Sequence, residues 1–312
     1  MPAVSHESAQ ESAVGSFWPD VSLLGVVLIW GINIPVFKLG LDRMDWYSLN
    51  AIRLAVSVVV LNLLAWHERG AILPSWPGVS YAAMLRYSVL ASGIYQLTFL
   101  LGIARAASGN VALIIATVPM WTALMARIFL NERLARVAWA GLVIAFVGTL
   151  VVTIQNGGFS SDERSLYGNV FMLCAALSWA GGTVASRPVL KQLSPLQLSA
   201  FASLTMLPFH VAIAAPRLGD SVAKLNLPEV WVAIAWSGIF STGFALAMWN
   251  YGVSHAGAAH AAVFQNLVPV IAMTSAWLVR GEPVTMRQLV GGTLIIGGLL
   301  IMRRGRIRRS PD

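Results

Sequence analysis

"ATVPMWTALMARIFLNERL", residues 116–134, sets a proline inside an apolar run and closes it with a glutamate; "NLVPVIAMTSAWLVRGEPV", residues 266–284, repeats the arrangement 150 positions later. The two stretches belong to a longer match. Residues 102–152 align with 252–302 without a gap, pairing Gly102 with Gly252, Ala106 with Ala256, Ala112 with Ala262, Val118 with Val268 and Pro119 with Pro269. Ala126 with Ala276, Glu132 with Glu282, Gly141 with Gly291, Gly148 with Gly298 and Leu150 with Leu300 complete ten identities in 51 positions. Upstream the offset becomes 149, and "LIWGINIPVFK" (28–38) faces "LSWAGGTVASR" (177–187), pairing Trp30 with Trp179 and Lys38 with Arg187. One half of the chain is the other half again.

Each half is built for lipid. Of 312 residues 57% are hydrophobic and 11% charged, with 12 Trp and a mean hydropathy of +0.71, a composition that a water-soluble domain does not carry. A bilayer core needs about 20 apolar residues per helix. Such runs fall at about 20–41, 46–66, 84–104, 109–130, 136–155, 166–187, 195–215, 229–252, 259–280 and 285–303. The expected fold is an all-α integral membrane protein with ten transmembrane helices. An odd number of helices per repeat makes the second copy enter the membrane from the opposite side, so two inverted five-helix repeats should surround a central cavity near the midplane. The expected boundaries are a disordered cytoplasmic tail at 1–18, a first repeat at 19–155, a linker at 156–164, a second repeat at 165–303 and a basic cytoplasmic tail at 304–312.

Charge sets the orientation. The net charge of +8 does not point to nucleic acid, because five of the 21 basic residues lie in "RRGRIRR", 303–309, directly after the last apolar run. A basic cluster there anchors a cytoplasmic end on anionic lipid. With an even number of spans both termini share that side, and the basic count is then 12 inside against 9 outside. Residues 1–18 hold no Lys or Arg, so no secretory signal is expected. Cys174, the sole cysteine, supports neither a disulfide nor a thiolate metal site and is expected to be a small buried apolar side chain.

A ten-helix chain with "GIARAASGNVALIIATVPMWTALMARIFLNERL" at 102–134, its echo at 252–284 and a Trp-Gly pair in the first helix resembles the EamA branch of the drug/metabolite transporter superfamily. The wording of 102–134 is most similar to YddG-type exporters of aromatic and other neutral amino acids. The resemblance covers about 20–303. It implies export by alternating access, in a bacterial-type inner membrane, through a cavity lined by helices 3, 4, 8 and 9 with parts of 1 and 6.

Residue by residue, the candidate cavity set is Trp30, Asn33, Lys38, Tyr95, Gln96, Phe99, Trp121, Trp179, Trp249, Gln265 and Asn266. Rings in a mostly apolar pocket with a few amides suit a neutral or aromatic solute. Pro119 and Pro269 each remove an N–H and free the carbonyl four residues earlier, at Ile115 and Gln265, which lipid cannot satisfy; they are read as kinks bordering the pathway, as gating hinges or as fixed bends. Glu132 is 13 residues past Pro119, roughly 20 Å along a helix, and so marks a helix end. Both it and Glu282 are expected to face the positive end of the next helix.

All 13 carboxylates fall in tails, loops or span edges, which favours a facilitator over a tightly proton-coupled pump. A histidine relay through His210, His255 or His260 is the weaker reading beside packed or interfacial histidines. Arg53, about two turns into helix 2, is open between an intramembrane function and a snorkelling stem. Lys38 and Arg187 occupy equivalent helix ends, where they meet a substrate carboxylate or anchor headgroups. Gly141, Gly148, Gly291 and Gly298 make helices 5 and 10 a scaffold. No catalytic residue, metal site or cofactor is expected; the partners are a small-molecule substrate, an amino acid foremost, and the lipid bilayer, with a monomer as the simplest state. The other readings are efflux of another metabolite or a drug-like cation, a channel, and a membrane-embedded lipid-modifying enzyme. The last lacks any mid-span carboxylate pair, HExxH or GxSxG.

Overall fold

A computed structural model describes residues 5–70, 79–103, 105–106, 114–132, 134–153, 163–280 and 285–307, and among these no strand occurs. The helices are α1 (Ser5–Leu41), α2 (Trp46–Arg69), α3 (81–103), α4 (Ile114–Phe129), α5 (Arg136–Thr153), α6 (Glu163–Val189), α7 (Pro195–Val222), α8 (Pro228–Ala256), α9 (258–280) and α10 (Met286–Ile307). Among the described residues five apolar helical segments are long enough to cross a bilayer: Phe17–Leu41, Trp46–Arg69, Leu166–Val189, Pro195–Asn226 and Pro228–Ala256. The apolar stretches of α4, α5, α9 and α10 are shorter. Helix covers residues 5–18, where the sequence predicts a disordered tail. Residues 109–113 of the expected fourth span, most of the expected linker and Glu282 lie outside the described residues.

Helix ends follow local chemistry. Asp45 caps α2 by accepting from the Ser48 amide at 3.0 Å, and Ser194 caps α7 by accepting from Gln197 at 3.2 Å. Gly70 closes α2 at φ 72°, the left-handed value that glycine adopts without a Cβ clash.

The repeat is visible in the packing. α1 packs on α8 and α9, and its repeat mate α6 packs on α3 and α4; α2 packs on α7 and α8, while α7 packs on α2 and α3. Contacts between helices therefore run mainly across the two halves, which are interlocked rather than side by side. Single contacts exchange in the same way: a Cβ on Gly252 would meet Leu23 at 2.4 Å, and one on Gly102 would meet Met172 at 2.7 Å. Gly102 and Gly252 are repeat mates, and so are the fully buried Leu23 and Met172, 149 residues apart.

Repeat mates also run antiparallel. Along α2 and α7, Asp45 meets Arg217, Asn62 donates to the Ala200 carbonyl and Glu68 accepts from Ser194, so one chain rises as the other falls. On α5 and α10, a Cβ at Gly141 would lie 2.6 Å from the Gly298 carbonyl, and one at Gly148 2.7 Å from that of Gly291. This backbone-on-backbone crossing is the scaffold that the glycine spacing predicts.

Both halves bend at matching places. α3 widens into a π-helical segment at Val89–Ile94 and α8 at Trp236–Phe244, and α9 tightens into a 3-10 turn at Gln265–Leu267, just ahead of Pro269. In α4 the regular winding breaks at Thr117, so that Pro119 opens the segment Val118–Phe129. Neither proline sits in the middle of an unbroken helix.

Outside, the bundle is apolar: Leu24 and Leu28 on α1, Val59, Leu63 and Trp66 on α2, and Leu166, Val170 and Leu173 on α6 are all exposed. Such a surface calls for lipid. Cys174 belongs to this outer face and is exposed, not buried as predicted, because it follows Leu173 around α6 instead of facing the adjoining buried Ala175 and Ala176.

The crossing predicts a sharp contrast between neighbours. Gly298→Ala would place a Cβ 2.6 Å from both the Ala145 amide and the Gly141 carbonyl, whereas nothing lies within 4 Å of a Cβ on Gly297. Thermal unfolding in detergent should show G298A destabilised by about 1–3 kcal/mol, and G297A unchanged or stabilised by about 0.4–1 kcal/mol.

Candidate functional site

Four helices, two from each half, bring their rings together inside the bundle. Trp30 of α1 lies 5.5 Å from Trp179 of α6 and 5.5 Å from Trp249 of α8, while Trp179 and Trp249 are 5.8 Å apart. Tyr95 of α3 stacks obliquely on Trp179 at 4.8 Å, and Phe99 follows one turn later at 5.6 Å from Tyr95. Centroid spacings of this size are the favoured aromatic geometry, worth about 0.5–1.5 kcal/mol per pair beyond burial. Trp30 and Trp179 are repeat mates, 149 residues apart, and touch each other. Phe99 and Trp249 are mates as well, 150 residues apart.

The cluster is apolar in area but not in its atoms. The indole N–H of Trp30 donates to the Ser241 carbonyl at 3.0 Å. Among the described residues the buried N–H groups of Trp179 and Trp249 have no hydrogen-bond partner, nor do Asn33 Oδ1, one turn along α1 from Trp30, and Gln265 Oε1 on α9. An unmet buried polar atom costs about 1–3 kcal/mol. The Trp179 and Trp249 indoles, 5.8 Å apart, thus bring two unmet N–H donors into the ring cluster.

The π-helical segments explain part of this arrangement. Their widened turns turn a carbonyl outward, and each is met from the opposite half: His210 of α7 donates to Ser92 in α3 at 2.7 Å, and Trp30 of α1 donates to Ser241 in α8. Ser92 and Ser241 are 149 residues apart, equivalent points of the two repeats. His210 is buried at this junction.

Other predicted residues go elsewhere. Trp121 donates to Thr117 on its own helix at 3.0 Å and shares no ring contact with the cluster. Asn266 accepts from Thr149 of the scaffold helix α5 at 3.1 Å and donates to Val263. Gln96 accepts from Arg53 at 2.9 Å. The side chain of Lys38 lies outside the described residues.

Arg53 does not snorkel. It is 8% exposed, and its guanidinium donates to Asn50, Gln96 and Thr242 beside the Phe37 ring. It was legible as an intramembrane cation but not as the centre of a network, since its partners come from three helices.

A second cluster joins the halves around Asp20 of α1, at the end where α4 and α6 finish. Glu132 accepts from the Ala258 and Ala259 amides at 3.2 Å each, and lies 3.5 Å from Arg187. Arg187 also donates to the Ser254 carbonyl. Glu132 therefore caps α9, in the other half, and not the next helix α5 as predicted. The reason is Gly257, whose φ of 92° turns the chain so that the N-terminus of α9 points at the carboxylate. Beside it the buried Asp20 and His260 pair at 2.8 Å, joining α1 to α9. The sequence shows Asp20 only as a residue at a span edge; its burial depends on α9, 240 residues away.

Known proteins agree with the fold and the transport reading. The EamA-like transporter family matches residues 17–154 and again 166–304. Among relatives, an uncharacterised Bacillus subtilis transporter, YyaM, is 27% identical over 90% of this chain and 92% of its own. A probable amino-acid metabolite efflux pump of Salmonella typhimurium is 26% identical (91% and 95% covered), and a probable terminal-alkyne amino-acid exporter of Streptantibioticus cattleyicolor 25% identical (93% and 95%). One solved crystal structure shares the fold with a TM-score of 0.79 at 17% identity, covering 94% of this chain and 99% of that one.

The cap on α9 yields a graded prediction. Glu132→Ala strips two helix-end amides and Arg187 of their acceptor and should cost about 1–3 kcal/mol, whereas Glu132→Gln keeps one acceptor oxygen and should cost less. Thermal unfolding in detergent checks the order. Two EamA matches that together span both repeats, and an all-helical, lipid-facing fold, place this chain in the EamA-like transporter family of multi-pass membrane proteins.

Proposed function

We propose that this transporter exports aromatic and other neutral amino acids by alternating access, with ten transmembrane helices in two inverted repeats and both termini on the cytoplasmic side of a bacterial-type inner membrane. The observation that carries the proposal is the ring cluster in which repeat mates touch: Trp30, Tyr95, Trp179 and Trp249 from α1, α3, α6 and α8. A site where repeat mates meet is shared by both halves, so the halves can exchange conformations around it without moving it. Rings take an aromatic or aliphatic side chain by stacking and burial. The indole N–H groups of Trp179 and Trp249 offer two donors to the polar end of the solute. Pro119 and Pro269, each beside a helix irregularity, are the matching bends at which α4 and α9 would flex.

Two observations support the amino-acid reading over a drug-like cation. Two relatives carry amino-acid transport in their names, and the buried positive charge of Arg53 repels a permanent cation.

Counterflow into proteoliposomes preloaded with unlabelled amino acid tests the proposal. Labelled phenylalanine should accumulate transiently and saturably, and Trp179→Ala should slow its entry by about tenfold or more, the scale of removing an aromatic anchor. Entry of a labelled quaternary amine with no amino-acid flux would overturn the substrate assignment. Flux without saturation or counterflow would indicate a channel.

A further inference from the structure

Among the described residues Arg53 is the buried Lys or Arg, and its hydrogen-bond partners are neutral. Its Nε and Nη2 donate to Asn50 Oδ1 at 3.0 and 2.7 Å, Nη2 donates to Gln96 Oε1 at 2.9 Å, and Nη1 donates to Thr242 Oγ1 at 2.7 Å. The ion pairs among the described residues are Arg43 with Glu229, Arg187 with Glu132, Arg217 with Asp45, and His260 with Asp20. None involves Arg53. A cation taken out of water costs several kcal/mol unless an anion compensates it, and amide and hydroxyl oxygens supply only partial charges. Tying α2 to α3 and α8 does not require that cost, since the two N–H groups of a neutral amide could hold Gln96 and Thr242. The charge itself calls for an anion.

Position decides which anion. Gln96 is the chain neighbour of Tyr95, and Thr242 is the chain neighbour of Ser241, whose carbonyl holds the Trp30 indole. The acceptors on Arg53 from α3 and α8 therefore adjoin, along the chain, one ring of the cluster, Tyr95, and the carbonyl that holds another, Trp30. Four hydrogen bonds use four of the five guanidinium N–H groups, which leaves one on Nη1 for a further acceptor. The Phe37 ring, 5.0 Å from the guanidinium carbon, covers one face, and the remaining Nη1 N–H is free for one charge-assisted hydrogen bond to a carboxylate oxygen.

We propose that Arg53, held in place by Asn50, Gln96 and Thr242, is the counter-charge that receives the carboxylate of the transported solute while the Trp30–Trp179 rings take its side chain. This rests on the amino-acid reading above and adds to it the selecting group: the preferred class is an organic monocarboxylate with an aromatic or apolar side chain. Asn50, Gln96 and Thr242 are positioning residues that fix the fork.

Tryptophan fluorescence of the purified full-length chain in detergent reads the binding, with phenylalanine, 3-phenylpropionate (carboxylate without amine) and phenethylamine (amine without carboxylate) as ligands. The wild-type chain should bind the two carboxylates and discriminate against phenethylamine by at least about thirtyfold. Arg53→Gln should weaken both carboxylates by that factor and leave phenethylamine bound no more weakly, since its ammonium no longer meets a buried positive charge. Arg53→Lys, which keeps the charge and loses the fork, should fall between the two and still prefer carboxylates, and it carries the test if R53Q does not fold. Equal weakening of all three ligands in R53Q or R53K, or carboxylate binding that neither variant alters, would overturn the assignment. Failure of the two readings is distinguishable: Arg53-dependent binding of 3-phenylpropionate with no amino-acid counterflow removes the substrate reading and keeps Arg53. Amino-acid counterflow indifferent to Arg53 does the reverse.

Discussion

A lipid chain cannot hydrogen-bond a peptide group, and every irregularity in this fold is placed under that constraint. Helices satisfy their own backbones; bends, π-helical turns and breaks do not, and each must be met by protein. Here the Ser92 carbonyl in α3 meets His210 and the Ser241 carbonyl in α8 meets Trp30, both across the boundary between the halves. The free amides at the buried N-terminus of α9 meet Glu132 of the first half. The halves are held together at their irregular points by the groups that those irregularities leave over. Apolar packing and the close approach of α5 and α10 supply the rest.

This division of labour separates parts that are fixed from parts that can exchange. α5 and α10 touch through glycine carbonyls with no room for a methyl group, which marks a rigid crossing. Around the ring cluster, contacts are between side chains and between a side chain and a single carbonyl, and such contacts can be remade in a second arrangement. At the Glu132 end, one carboxylate serves two amides and Arg187, and a buried Asp20–His260 pair stands beside it. Breaking that end free would expose charges that then need water, as happens when an aqueous pathway opens.

Much of the fold was legible because the repeat copies its signals. Proline, glycine and glutamate recurring at 150 positions gave the equivalence of α4–α5 with α9–α10, and the seven-residue glycine spacing gave their crossing. Trp30, Trp179, Tyr95, Phe99 and Trp249 were legible as a set because bulky rings on the inner helices have few other places to go. What the sequence hid was long-range. Glu132 was expected at the next helix because sequence shows neighbours; its partner is 126 residues away. Arg53 was left open between two roles because Gln96 and Thr242 are invisible from α2. Trp121 and Asn266, equally plausible by composition, turn to their own helix and to α5. Cys174 was misplaced because an apolar run by itself does not tell a lipid-facing position from a core position.

The central claim is that two inverted halves swap conformations about a fixed ring cluster, and distances at the two ends measure it directly. With Cys174 replaced, spin labels at Arg136 and Lys191 report the Glu132 end, and labels at Asp42 and Lys224 report the opposite end; all four sites are exposed. Double electron–electron resonance in lipid nanodiscs, with and without phenylalanine, should show one pair separating as the other closes, the two changes opposite in sign. Both ends moving in the same direction, or neither responding to a solute that the chain transports, would contradict the account.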